Sequence, residues 1–387
     1  MSDARHRLRA LERVPPPDLW PEIERRADSL DVGSRSPSFP SPTRRVGVAV
    51  VTALILGGLA WFLFPLAGLL EKPGILPPGT LTRIDLGGPS RGRPAIGEGA
   101  VWVIAGETLV RIDTATSEVT RIPVSGNPSS VAVGAGSAWV AVCTDGRAGQ
   151  CHDGAVLRLD PGTLRVIQSV EVRGGDPIQV AVGEGAVWVV DNKQRGAILR
   201  IDPTTARIVQ RIFGEHCCSG PIPAQIAVGA GGLWVGEGNS GNLLRIDPET
   251  GEIVARLSDV RVCQLAAEEM ALWVSDCGAL DLLSNTVWRV DPATSRVLAS
   301  FTVPGAPGLG VGEQGVWVAS HADDESEIQL WRVDTQENRL QGQPETILVN
   351  RVAGLRGLGG PPPVHLAVGA GAVWVSSLGR EIIRVQL

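Results

Sequence analysis

Ile178-Gln179-Val180-Ala181-Val182-Gly183-Glu184-Gly185-Ala186-Val187-Trp188-Val189-Val190 leads through Ile198-Leu199-Arg200-Ile201-Asp202-Pro203-Thr204-Thr205 to the run Arg207–Phe213. Ile178–Val182 is apolar and β-branched, and Gly183-Glu184-Gly185 turns the chain. Val187–Val190 and Ile198–Ile201 are two more short apolar runs. Asp202-Pro203-Thr204-Thr205 is a tight-turn sequence, with Asp at its first position and Pro setting φ at its second. Arg207–Phe213 alternates as a half-covered strand does. The stretch therefore reads as four short antiparallel strands with no helix signal between them.

The same phrase recurs around Trp102, Trp139, Trp188, Trp234, Trp273, Trp317 and Trp374, each followed by Val, at intervals of 37 to 57 residues. Ala-Val-Gly precedes it at Ala132, Ala181, Ala227 and Ala367, and Arg-x-Asp follows it at Arg111, Arg158, Arg200, Arg245, Arg289 and Arg332. A four-strand unit at a period of about 40–50 residues is the signature of a β-propeller, here with seven blades. The tryptophans are expected in the core. The small first-strand residue (Ala132, Ala181, Ala227, Ala266, Ala367, with Gly310 in its place in unit six) is expected to make room for a tryptophan of the adjacent blade. Leu81-Thr82-Arg83-Ile84-Asp85-Leu86 matches the fourth-strand sequence Val119-Thr120-Arg121-Ile122-Pro123-Val124, while the last unit ends on a third strand at Ile382–Leu387. Residues 80–87 are therefore expected to complete the seventh blade and close the ring, which removes open sheet edges.

The domain reading has four parts. Residues 80–387 form the propeller. Val46–Leu70 is 25 residues without a charge, long enough at about 1.5 Å per residue to cross a bilayer core of about 30 Å. Arg44-Arg45 precede it, and nine arginines fall in the first 45 residues, so the basic side is expected in the cytoplasm and the propeller outside the cell membrane. A cleaved leader is the alternative, but it would carry a 45-residue extension and shows no clear small-x-small site. Residues 71–79 are a linker, and residues 1–45 a cytoplasmic tail. Leu19, Ile23, Ala27 and Leu30 mark a short amphipathic helix behind Asp18, and Ser34–Pro42 is a Ser/Pro-rich linker. Net charge is -6 with no basic stripe in the repeats, which argues against nucleic acid as a partner.

In such blades the turns joining strands one to two and three to four lie on one face of the ring, and the remaining connections lie on the other. The first set is short throughout. The second carries the insertions Cys143–Gly154, Gly214–Pro223, Asp276–Asn285, Ser320–Glu327 and Asn350–Pro363, which marks it as the binding face. All six cysteines fall there, beyond the membrane segment, where an oxidising compartment favours disulfides. Cys143 and Cys151 bracket one loop, and Cys263 should meet Cys277. Cys217 and Cys218 are adjacent, either bridged or free. His152, His216, His321 and His365 map to the same face, but no Cys-x-x-Cys or His-x-His spacing supports a metal site. The short-loop face, where the closing strand begins, is expected to point toward the bilayer.

One aligned position near the mouth of each first strand reads Arg93, Ser130, Gln179, Gln225, Gln264, Gly308 and His365. Two readings stand. These residues bind a ligand as a convergent polar ring, or they satisfy backbone groups at strand ends. His321-Ala322-Asp323-Asp324-Glu325 offers oxygen ligands to a hard cation, or is a solvated loop. The Arg-x-Asp motifs are structural, because a reaction centre would not be copied around a ring.

Val-Gly-Glu-Gly-Ala-Val-Trp-Val at 182–189 and Arg-Ile-Asp-Pro-Glu-Thr-Gly-Glu-Ile-Val-Ala-Arg at 245–256 resemble the streptogramin (virginiamycin) B lyase family and related YVTN-type propellers. The resemblance spans residues 80–387 and implies a seven-bladed ring. It also implies a lyase that opens a cyclic depsipeptide by elimination, with a His as acid and a magnesium ion beside a Glu-x-His pair. This chain has no Glu-x-His, so His321 and His365 are the only histidines to set against that role. Pro16–Ile23 resembles segments that precede the membrane helix in bacterial anti-sigma-type proteins, which implies a cytoplasmic signalling partner. The expected function is binding of a protein, peptide or glycan at the loop-rich face by a membrane-anchored propeller, as a sensor. The alternative is a lyase or hydrolase that requires a divalent cation.

Overall fold

The computed structural model describes residues 81–387, apart from 147–149, 194–195, 214–224, 238–240, 259, 261, 277–284, 306, 323–326, 350–362 and 378. The tail, the membrane segment and the linker of the sequence reading lie outside the described residues. No described residue is helical. The described strands form seven four-stranded antiparallel sheets. Their innermost strands are Ser90–Gly97, Asn127–Gly134, Pro177–Gly183, Gln225–Gly229, Gln264–Glu268, Gly308–Gly312 and His365–Gly369, which begin blades one to seven. Each innermost strand touches the next, and that of blade seven returns to blade one. Leu81–Asp85 pairs antiparallel with Glu381–Gln386 as the outer strand of blade seven, so the expected closure by the start of the repeat region holds.

The repeated phrase follows from how two blades meet. In a strand, successive side chains face opposite ways. In Val187-Trp188-Val189 the two valines therefore face blade two, where they lie with Trp139, and Trp188 faces blade four, among Ile226, Leu233 and Val235. The pattern repeats around the ring. Trp102 packs with Ala138, Val140 and Val142 of blade two, and Trp374 with Val101 and Val103 of blade one. Six of the seven repeat tryptophans are fully buried and Trp317 is nearly so. Truncating such a residue to Ala costs about 3–5 kcal/mol in a typical core. The small first-strand residue does make room for a tryptophan, but for the one in its own blade. Ala132, Ala181, Ala227, Ala266, Gly310 and Ala367 stand directly opposite Trp139, Trp188, Trp234, Trp273, Trp317 and Trp374. Cross-strand register places each small residue against its own Trp, and at Gly310 the approach of Leu366 and Val368 from blade seven leaves no room for a methyl group.

The rest of the phrase serves the same tryptophans. The indole N–H of Trp139, Trp188 and Trp234 donates to the carbonyl of Gly134, Gly183 and Gly229 at 3.2–3.3 Å. On the other flank the arginine of Arg-x-Asp stands opposite the Trp, and Arg158, Arg200, Arg245 and Arg289 lie 5.2–5.8 Å above their indole rings. A guanidinium over an indole face is attractive and covers its apolar surface. The aspartate then turns the chain. Asp202 accepts the backbone N–H groups of Thr204 and Thr205 at 2.7 and 3.0 Å, and these bonds hold its carboxyl below the usual range. Asp113, Asp160, Asp247, Asp291 and Asp334 make equivalent turns.

The glycine that closes Ala-Val-Gly is required by close approach at the axis. A Cβ at Gly97, Gly134 or Gly183 would sit 2.7–2.8 Å from Cγ1 of Val133, Val182 or Val228 in the following blade. Gly369 of blade seven faces Ile96 of blade one, which completes the circuit. Gly134→Ala should therefore lower the denaturation midpoint, with an overpacking cost of about 1–3 kcal/mol. Gly162→Ala, in an exposed turn where an added Cβ meets only Asp160 Oδ1 at 3.5 Å, should leave it nearly unchanged. Urea denaturation followed by tryptophan fluorescence compares the two, and equal midpoints would remove the close-approach account.

Candidate functional site

The strand ends joined by the insertion-bearing connections share the face on which the inner strands begin, and 214–224, 277–284, 323–326 and 350–362 of those connections lie outside the described residues. Cys143 and Cys151 form a disulfide there with Cα atoms 5.6 Å apart, as the sequence spacing suggests. Cys263 is disulfide-bonded, and its backbone N–H donates to Ser275 O at 2.7 Å, which sets it beside the end of the second strand of blade five. Its expected partner Cys277, and Cys217 and Cys218, lie outside the described residues. So do Asp323 and Asp324.

The polar position at the mouth is largely a set of bridges between blades. Ser130 Oγ of blade two accepts from Val180 N of blade three at 3.2 Å. Gln179 grips Ile226 of blade four, accepting from its N–H at 3.1 Å and donating to its carbonyl at 3.4 Å. Gln264 of blade five accepts from Leu309 N of blade six at 3.0 Å and donates to Val364 O of blade seven at 2.8 Å. For these three residues the backbone-satisfying reading accounts for the contacts. Gln225 and His365 stand at the same level, half-buried.

Arg93 behaves differently. The pairing of its strand slips between Arg91 and Ala95, with Gly92 at φ 66° and Pro94 unable to donate a backbone hydrogen bond. Such a bulge re-aims a side chain. Arg93 crosses the axis from blade one and donates to three backbone carbonyls: Leu265 of blade five, Leu309 of blade six at 2.6 Å and Leu366 of blade seven at 3.5 Å. Among the described residues no carboxylate pairs with it, and burial pulls its pKa down to about 10. His365 lies in the same network, with Nδ1 3.4 Å from Gln264 Nε2. Burial first, and then the nearby Arg93 charge, lower its pKa to about 4, so the imidazole is neutral near pH 7.

His321 is buried at the end of a second strand and meets Ser377 Oγ of blade seven at 2.8 Å through Nε2. It belongs to the interface of blades six and seven. Among the described residues no group of His, Cys, Asp and Glu side chains is arranged to hold a metal ion. The sequence reading missed a further aligned position, the third residue after Trp. It reads Asp191, Glu237 and Asp276 in three consecutive blades, and all three are buried. Asp191 accepts the N–H groups of Asp176 and Lys193 at 2.7 and 3.1 Å, and Glu237 meets Arg256 at 3.1 Å and Asn242 at 2.6 Å. The carboxylates of Asp191 and Glu237 thereby brace strand ends of the loop-rich face. Counting three residues on from each Trp would have found them.

No protein-family model matches the chain, and no curated protein sequence matches it. Solved structures do. A chain in the crystal structure of the mitotic checkpoint complex is 10% identical with a TM-score of 0.63, over 92% of this chain and 99% of that one. A chain of the hydrazine synthase of Kuenenia stuttgartiensis is 15% identical with a TM-score of 0.54, over 80% of this chain and 98% of that one. At such identities the likeness is one of fold.

The lowered pKa of His365 has a definite sign in stability. The folded state resists protonation, so the unfolded chain binds more protons between the ordinary value of 6.5 and about 4. This contribution is fully present above pH 6.5 and is lost as pH falls toward about 4. The midpoint of His365→Gln should fall less than that of the wild type across this window. Parallel pH profiles would show that the imidazole stays solvated.

Proposed function

We propose that the chain is a single-pass membrane protein whose extracytoplasmic β-propeller binds a protein, peptide or glycan at the loop-rich face, as the sensing part of a signalling protein. The observation that carries this is the one-sidedness of the ring. The turns of the short-loop face, such as Gly183-Glu184-Gly185 and Asp202-Pro203-Thr204-Thr205, are short and repetitive, whereas the opposite face holds the insertions and the Cys143–Cys151 staple. Rigid blades with elaborated loops at one end are a common platform for recognition. The disulfide suits an oxidising compartment, and the uncharged Val46–Leu70 run suits an anchor. The similar chain in the mitotic checkpoint complex belongs to a multiprotein assembly, which agrees with a protein ligand.

The reading is tested by photo-crosslinking in intact cells with the full chain. A probe placed in the Cys143–Cys151 loop should capture an external partner, and replacing that loop with a three-residue turn should abolish capture. Gly162→Ala, in an exposed turn of the short-loop face, should leave capture intact. Capture that depends only on the short-loop face would reverse the assignment. Magnesium-dependent turnover of a cyclic ester, lost in His321→Ala or His365→Ala, would establish the lyase alternative that the repeat resemblance suggests.

A further inference from the structure

Arg93 is set apart from the other arginines of the repeats by its buried place at the axis, since Arg121, whose partners are also backbone carbonyls, is exposed. The arginines of Arg-x-Asp stack on tryptophan at the blade ends, and Arg173 and Arg256 have carboxylate partners at 2.7 and 3.1 Å. Arg93 lies at the axis, and its described partners are carbonyl oxygens alone. A guanidinium has five N–H donors in a planar fork. Leu366 occupies the one on Nε, and Leu265 and Leu309 occupy one each on Nη1 and Nη2. One N–H therefore remains on each terminal nitrogen, available to a carboxylate oxygen as a charge-assisted donor. Although deep in the ring, Arg93 keeps part of its surface open to solvent, as do Gln179, Gln225 and His365 at the same level. Carbonyl dipoles stabilise the cation but do not neutralise it, and a buried charge without a counter-charge is costly.

We infer that the axial mouth is an anion site in which the two spare donors of Arg93 receive a carboxylate group of the ligand, beside the uncharged His365. The charge count selects a carboxylate over a phosphate. One guanidinium matches one negative charge, whereas a phosphate dianion would leave a second charge facing a neutral imidazole. The site rests on the proposed binding face, since the inner strands begin there, and it narrows the ligand class to peptides with a free or acidic carboxylate or glycans with an acidic sugar.

The test uses the full chain in detergent micelles and follows its thermal midpoint against sodium acetate, sodium phosphate and sodium chloride at constant ionic strength and pH 7. Acetate should raise the midpoint saturably and chloride should not. In Arg93→Lys, which keeps the charge and loses the fork, acetate should bind about tenfold more weakly or worse. In His365→Asp a carboxylate placed beside Arg93 should satisfy the cation internally, so the protein folds but no longer responds to acetate. That variant keeps the test valid if Arg93→Lys fails to fold. A folded wild type with no saturable acetate response would overturn the site, as would a response that survives in His365→Asp. A phosphate response larger than that of acetate would overturn the choice of carboxylate. Partner capture by the Cys143–Cys151 loop without any anion response would sink the axial site and leave the binding face standing.

Discussion

The ring depends on how closely seven inner strands can approach one axis. Each strand after the first brings a Val or its equivalent against the glycine of the strand before it, at Gly97 with Val133, Gly134 with Val182 and Gly183 with Val228. A Cβ at any of these glycines would push a blade outward. In a closed ring that displacement has nowhere to go, because the last blade must meet the first and must also receive its outer strand from Leu81–Asp85. The Trp–Val interlock between blades then fills the wider gap further out. The glycines set the radius and the tryptophans set the wedge.

Blade five shows the rule by departing from it. Its first strand reads Gln264-Leu265-Ala266-Ala267-Glu268, with Glu268 where the others have Gly. The indole N–H of Trp273 then donates to the Glu268 carboxylate at 2.8 Å in place of a glycine carbonyl. Gly229 of blade four faces the smaller Ala267 at 3.2 Å. Blade six compensates in the other direction with Gly308, Gly310 and Gly312, and a Cβ at Gly310 would lie 2.7 Å from Leu366 Cβ and 2.8 Å from Val368 Cγ2. The circumference is thus shared unevenly, and a Cβ at Gly308 or Gly312 would meet backbone of blade seven, at the carbonyl oxygens of Val364 and Val368.

The architecture was legible because one phrase is written seven times and every word of it has a geometric duty. Period gave the blades, and matching of Leu81–Leu86 to Val119–Val124 gave the closure. What repetition cannot reveal is where a side chain goes when its backbone departs from the repeat. Alignment placed Arg93 level with Ser130 and Gln179, and all three do lie level. Yet Ser130 and Gln179 reach the next blade, while the Gly92 bulge sends Arg93 across the axis to blades five, six and seven. The choice of Ala opposite Trp was visible, but whether the partner lay within or between blades required the register. The Asp191, Glu237 and Asp276 set went unnoticed because three blades share it and four do not.

That contrast separates scaffold from site. A residue type found at the same place in nearly every blade answers a demand that every blade makes, and the Arg-x-Asp carboxylates show this by spending their oxygens on turn N–H groups. Residues specific to one blade answer something else. Arg93 answers a demand of the axis, where backbone carbonyls of blades five, six and seven converge on a charge from blade one that no described carboxylate pairs. A propeller whose blades are so nearly identical can recognise a ligand at its axis only through such breaks in symmetry, since seven equal polar groups would favour seven orientations equally. The Gly92 bulge is therefore the point at which this repetitive sequence acquires a direction.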